Sequence, residues 1–329
     1  MLLAGDVGGT HTRLGLFARD PARPLPSEVE TFRTLEFPDL PAVVARFLER
    51  TGSSAPGAIE AACFGLAGPV TGASARLTNV PWLVDAAAMA ARFSIASVVL
   101  VNDLEALAWA IPVLAPEDVA VLQEGVPAAG GQAALVAAGT GLGMALLHHV
   151  GGRLVPIPSE GGHADFAART PREAALQQAL VRERGRAEWE QVVSGPGLVN
   201  IHRFVHARGC VAVPDYVDPV KAPSLISRSA LLRLCPDCVD ALAMFVSAFG
   251  AVAGNLALTA LASAGVYLGG GIAPKILPAL GTPAFLDAFR AKAPMEELMG
   301  RVPVRVILNE RASLLGAAVC LTERLSGAR

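Results

Sequence analysis

The sequence predicts an α/β protein built from two related lobes, and three observations carry the prediction. Apolar runs of strand length alternate with apolar residues at helical spacing along the whole chain. The pattern strand, glycine–threonine turn, strand occurs twice, at Gly8-Gly9-Thr10 and at Gly139-Thr140-Gly141. Such an echo points to a duplicated fold with one phosphate-facing hairpin in each lobe. A chain of 329 residues also has room for two domains of about 100–200 residues each.

The elements follow in order. Met1 to Ala4 is apolar, Asp6 to Thr10 is a turn, and Thr12 to Phe17 alternates as a second strand. A Pro-rich loop runs from Pro21 to Pro26. Leu40, Val43, Val44, Phe47 and Leu48 place a helix over Leu40 to Thr51. Ile59 to Leu66 is a strand stopped by Ala67-Gly68-Pro69, and Val84 to Phe93 reads as a helix. Ser97 to Val101 is a buried strand ending at Asn102-Asp103, and Leu104 to Ile111 is a helix that Pro112 ends or kinks. After a Gly-rich connection, Ala133 to Ala138 and Leu142 to Leu147 flank the second glycine turn. Ser194 reads as the cap of a helix with Pro196 in its first turn. Val266 to Leu268 is a strand running into Gly269-Gly270-Gly271, and Ala312 to Leu325 is a closing helix.

Composition removes several function classes. The net charge of −2 offers no basic field for a nucleic acid backbone. Asp6 interrupts the apolar start, so the N-terminus predicts no export. Ala241 to Gly271 carries no charge and meets the length of a membrane span. Its Ala, Gly, Ser and Thr content, Asn255 and missing aromatic and basic flanks predict a buried helix and strand instead, with no membrane partner. Five cysteines spread over a long chain predict reduced thiols in a cytoplasm. Cys235-Pro-Asp-Cys238 forms a C-x-x-C, and His206 and Cys210 lie nearby in sequence, which is one reading as a zinc site. With no second close cysteine pair, a helical role for Cys238 is the preferred reading, and no residue is assigned as a direct metal ligand.

Five constellations can carry chemistry. In Asp6-Val7-Gly8-Gly9-Thr10 the glycines let backbone N–H groups approach a phosphate, Thr10 adds a hydroxyl, and Asp6 can orient water on magnesium. A plain hairpin turn is the simpler reading of the same residues. Gly139-Thr140-Gly141 repeats the argument, and neither turn is a Walker A loop because no Gly-Lys-Ser/Thr follows. Gly269-Gly270-Gly271 permits close backbone approach to a flat ligand such as adenine. Asn102-Asp103 sits at a strand end opening a helix, where it serves equally as a base or as a helix cap. In Ser159-Glu160-Gly161-Gly162-His163 the Glu and His can turn to one ligand, and carboxylate with imidazole suits the paired donors and acceptors of sugar hydroxyls.

Taken together, GDVGGTHTRLGLF, LTNVPW, VNDLEALAWAI, AAGTGLGMALL, PSEGGHADFA, VVSGPGLVN and YLGGGIAP resemble, in order and nearly end to end, the bacterial glucokinases of the hexokinase–actin–heat-shock ATPase superfamily. The resemblance implies a two-lobed actin-like (ribonuclease H-like) ATPase fold with a duplicated βββαβαβα core. It implies a small lobe of residues 1–112 with about 310–329, a large lobe of 113–309, and an active site in the cleft between them. Asp6, Gly8, Gly9 and Thr10 then match the first phosphate loop, Gly139, Thr140 and Gly141 the second, and Gly269, Gly270 and Gly271 the adenosine turn. Asn102, Asp103, Glu160 and His163 match the glucose-binding set, and the resemblance alone adds Glu190, with Asn79 as a lesser candidate. His11 departs from the Asn common in the family, and the tight three-cysteine zinc cluster of the related ROK family is absent.

The implied activity is ATP-dependent phosphorylation of glucose at the 6-hydroxyl, with ATP as donor, Mg2+ as cofactor and a homodimer as the assembly. Phosphoryl transfer depends on positioning and charge stabilisation. Asp103 accepts the hydroxyl proton in this reading, while Asn102, Glu160, His163 and Glu190 fix the ring. Two alternatives stay open: a kinase of another hexose or amino sugar, and a non-catalytic ATP-binding regulator of the same fold.

Overall fold

The computed structural model describes residues 1–20, 22–206, 210 and 221–327. Pro21 of the Pro-rich stretch lies outside the described residues. The chain divides into two compact units, Met1–Ala115 with Asn309–Arg329, and Pro116–Leu308.

In the first unit the opening hairpin pairs β1 (Leu2–Val7) with β2 (His11–Phe17), in a register that sets Val7 opposite Thr12. β3 (Pro26–Arg33) extends the sheet. Helix α1 (Leu40–Arg50) starts where the Asp39 carboxylate accepts from Ala42 N–H at 2.7 Å, and it buries the stripe Leu40, Val43, Val44, Phe47 and Leu48. The wholly buried β4 (Ala61–Leu66) follows, and then a small sheet of β5 (Val70–Thr71), β6 (Ser74–Arg76) and β7 (Leu83–Asp85). Asp85 caps α2 (Ala86–Phe93), so Val84, expected in that helix, belongs to β7 instead. β8 (Ser97–Asn102) runs into α3 (Asp103–Ala110), and Pro112 falls in a 3-10 turn after it. Among the described residues the main sheet has the order β3-β2-β1-β4-β8, with β1, β4 and β8 parallel. The C-terminal helix, Ala312–Gly327, packs on α3, β1 and β4 and buries Leu314, Ala317, Ala318 and Leu321 there.

The second unit opens with β9 (Val119–Gln123) and then the hairpin strands β10 (Ala133–Ala138), β11 (Leu142–Val150) and β12 (Arg153–Ser159). Helices α4 (Pro171–Arg184), α5 (Gly195–Val205), α6 (Ala222–Leu231) and α7 (Pro236–Ala260) follow. The unit continues through β13 (Gly265–Gly269), α8 (Leu277–Leu280), α9 (Pro283–Arg290), α10 (Glu296–Arg301) and β14 (Val304–Ile307). Its sheet order is β12-β11-β10-β13-β14-β9. The first five positions repeat the order of the first unit, so the fold is an internally duplicated actin-like α/β architecture; β9 is an added antiparallel edge.

The uncharged run singled out from the sequence forms α7 and β13. α7 is long and apolar enough to span a membrane, yet most of its apolar stretch is buried inside the unit. It packs against α5, α6, α9 and β10, with Phe249 and Phe285 edge to face at 5.9 Å between ring centroids.

Candidate active site

Parallel strands aim their carboxyl ends the same way, and open α/β sheets bind ligands outside those ends. In the first unit the register pairs Asp6 with Gly65 and Leu66 with Asn102. It therefore gathers Asp6, Gly68 and Asn102-Asp103 at one edge of the sheet. The Gly8 to Thr10 turn closes there. Gly8 N–H donates to the His11 carbonyl at 3.0 Å, and the Thr34 hydroxyl donates to the Gly8 carbonyl at 2.8 Å. Asn79 lies against Gly9, while the His11 side chain is exposed.

Asn102 plays the capping role its residue type suggests. Its Oδ1 accepts from Leu104 N–H at 2.9 Å, and its Nδ2 donates to the Gly68 carbonyl at 3.1 Å. This fixes the first turn of α3, on which Asp103 stands, and Asp103 Oδ1 accepts from Leu104 N–H at 2.8 Å. Burial pushes the Asp103 carboxyl above its ordinary range, outweighing that hydrogen bond. Asp6 is shifted too, up to about 6. Burial is the main cause, the Arg13 guanidinium 3.4 Å away opposes it, and the Asp103 charge adds to it. Both carboxylates are thus desolvated at the carboxyl ends of neighbouring strands, with the Asp103 charge adding to the shift of Asp6. Asp6, with the Thr10 hydroxyl on the same turn, fits a hydrated divalent cation, which holds few direct protein ligands.

The second unit repeats the arrangement. The Gly139 to Gly141 turn joins β10 to β11, with Gly139 N–H donating to the Gly141 carbonyl at 2.8 Å. β13 runs parallel to β10 and pairs Ala137 with Gly269, so the three-glycine turn emerges beside the first. Gly270 has φ +81, and a Cβ there would lie 2.3 Å from the Ala138 carbonyl oxygen, so no larger residue fits. Gly139 and Gly271 have nothing within 4 Å of a Cβ position, so at these two residues the backbone is open to a phosphate or a flat base.

Glu190, suggested by resemblance alone, sits on a 3-10 turn, not on the helix face where a solvated side chain would stand. Its Oε2 accepts from Leu142 N–H at 2.9 Å and covers Gly141, where a Cβ would lie 2.6 Å from that oxygen. The Ser194 hydroxyl caps α5 and donates to the Glu190 carbonyl at 2.6 Å, and Gly195 N–H donates to the Gly139 carbonyl at 2.8 Å. One carboxylate thus touches the phosphate-type turn directly. His163 joins it, since ligand atoms of His163, Glu188 and Glu190 all lie within 4.8 Å of one another. Glu188, 3.3 Å from His163 Nδ1, is a participant with no signal in the sequence, because only the folded turn brings it there. Glu160 opens the same 3-10 turn as His163, which donates its N–H to the Glu160 carbonyl at 3.0 Å; the Glu160 side chain itself is exposed.

The family model for glucokinase matches residues 3–324. A glucokinase of Nostoc punctiforme is 37% identical over 97% of this chain and 98% of its own. The crystal structure of a glucokinase from an Antarctic psychrotroph superposes with a TM-score of 0.86 at 29% identity, covering 98% of each chain. A glucokinase of Balamuthia mandrillaris, crystallised with glucose, shares the fold with a TM-score of 0.75 at 22% identity over 98% of this chain and 93% of its own.

Proposed function

The chain belongs to the glucokinase family, and from that premise we propose that it transfers the terminal phosphoryl group of ATP to the 6-hydroxyl of glucose with Asp103 as general base. The observation that supports this most is the pairing of Asp103 with Asp6 at the carboxyl ends of β8 and β1, where burial raises both carboxyls. A carboxylate destabilised by desolvation takes a proton more readily than an exposed one, and so suits a weak hydroxyl nucleophile.

Glu160, His163 and Glu190 hold the other sugar hydroxyls, and Asn102 positions Asp103 by fixing the first turn of α3. The glycine turns at Gly8-Gly9, Gly139 to Gly141 and Gly269 to Gly271, the last two open at Gly139 and Gly271, receive the phosphates and the adenine. Magnesium, steered by Asp6 through water, neutralises charge on the phosphates when bound. A homodimer working in the cytoplasm completes the reading; an odd number of cysteines spread over a long chain and the commonness of two-fold assemblies support it.

The test is a coupled assay of the purified protein with ATP and magnesium against glucose, mannose, fructose, galactose and N-acetylglucosamine. Preference for glucose is expected. Preference for another sugar would keep the base and replace the substrate, and inactivity with every sugar would favour a regulator.

A further inference from the structure

Toward the C-terminal end of α5, whose N-terminal end meets the Gly139 turn, the fold assembles a group of soft ligands that the proposed reaction does not use. His202 lies on α5 and His206 caps its C-terminal end, four residues on and hence on the same face. Their rings stand 4.9 Å apart. Cys235 is the N-cap of α7 and Cys238 lies in its first turn. Cys210 Sγ is 3.7 Å from Cys235 Sγ and 3.8 Å from Cys238 Sγ. The five residues follow the spacing H-x3-H-x3-C-x24-C-x2-C.

We propose that Cys210, Cys235, Cys238 and His202 hold one zinc ion in a tetrahedral site. A zinc–sulfur bond of about 2.3 Å places the sulfurs of a tetrahedron roughly 3.8 Å apart, and a zinc–nitrogen bond of about 2.0–2.1 Å gives a sulfur–nitrogen edge of roughly 3.5 Å. Both observed sulfur pairs match the first length, and His202 Nε2 to Cys238 Sγ, 3.4 Å, matches the second. The three sulfurs lie within 4.8 Å of one another, and so do the ligand atoms of Cys210 and the two imidazoles, so closing the tetrahedron draws one imidazole toward Cys235; His206 is the poorer choice, since its Nε2 is 3.2 Å from Asp237 Oδ2.

The place of these cysteines in the fold points the same way, since Cys235 is the N-cap residue of α7 and Cys238 stands three residues on. The thiolates lie at the positive end of a 25-residue helix, which favours their charge. On binding, the three thiols release three protons to solvent, the sulfurs and the imidazole each donate a lone pair, and no redox change occurs. Four protein ligands leave no open position, so the site is structural and ties the end of α5 to the start of α7.

The experiment is metal analysis of the full chain, purified from a zinc-containing medium without chelators, followed by cobalt titration of the metal-free protein. The expected result is close to one zinc per chain and the visible absorption of tetrahedral thiolate-bound cobalt. Cys235→Ser combined with Cys238→Ser should lose both signals, and His202→Ala should weaken zinc retention while His206→Ala keeps it. A wild-type protein that holds no zinc and takes up neither zinc nor cobalt would overturn the site. So would a Cys210–Cys235 disulfide in protein alkylated at lysis. Loss of metal in His206→Ala but not in His202→Ala would overturn the choice of imidazole.

Discussion

Replacing Asp6 by Asn should make the ligand-free protein more stable while it impairs catalysis. Burial raises the Asp6 carboxyl from 3.8 to about 6. The folded chain therefore binds a proton more tightly than the unfolded chain does. Stability associated with that proton is complete below the unfolded value and is lost as pH rises through about 6. At about 1.36 kcal/mol per pH unit, the carboxylate costs the fold ~3 kcal/mol at neutral pH. Asparagine resembles the protonated acid in shape and carries no charge, so Asp6→Asn should regain about 1–3 kcal/mol, less whatever Arg13 loses with its partner. The assay is urea denaturation of both proteins from pH 4 to pH 8 without nucleotide or magnesium. The variant should lead at pH 7 and above, and the lead should shrink to near zero by pH 4. A variant equal to or weaker than wild type at pH 7, or a lead independent of pH, would refute the reasoning. The same variant should turn over glucose far more slowly, since it lacks the charge proposed to steer magnesium.

Other predictions follow from the same geometry. Glu190→Gln keeps an acceptor for Leu142 N–H but removes the charge. It should lower kcat/KM for glucose ~10–100-fold, the equivalent of about 1.4–2.8 kcal/mol. A rise in KM for ATP alone would assign Glu190 to the phosphate turn instead. Gly270→Ala forces a side chain at φ +81 against the Ala138 carbonyl. It should cost about 1–3 kcal/mol of stability and raise KM for ATP, as thermal melts and kinetics would show. Because Asp103 must be ionised to act and burial raises its carboxyl, kcat/KM should fall on acidification at a pH above the ordinary range of a carboxylate. An acid limb at about 4 or below would contradict that.

Where one residue type decides the geometry, the fold was legible in the sequence. The glycine–threonine turns, the Ser194 cap and the helical stripe of α1 all stand where residue chemistry places them. The elements that escaped include edge strands as well as helices such as α4 and α6. β3 buries only Phe32, and β12 carries Pro156 and Pro158, which suit an edge strand and break the strand signal. Within the candidate site, Asp6 and Asp103 were legible because both follow apolar strands. Whether Asn102-Asp103 caps or catalyses was not, since both uses require the same residues at a strand end. Glu188 and Glu190 lie on a 3-10 turn whose neighbours come from elsewhere in the chain. The thiol and imidazole cluster joins two segments of the chain that only the packing of α5 on α7 brings together, so C-x-x-C alone understated it.

The most direct measurement is the kcat of Asp103→Asn with saturating glucose and ATP, beside its circular dichroism spectrum. With Asp103 as the base, the spectrum should stay native and kcat should fall ~10²–10⁴-fold, the usual share of a general base. A folded variant with kcat within a few-fold of wild type would show that Asp103 does not take the proton.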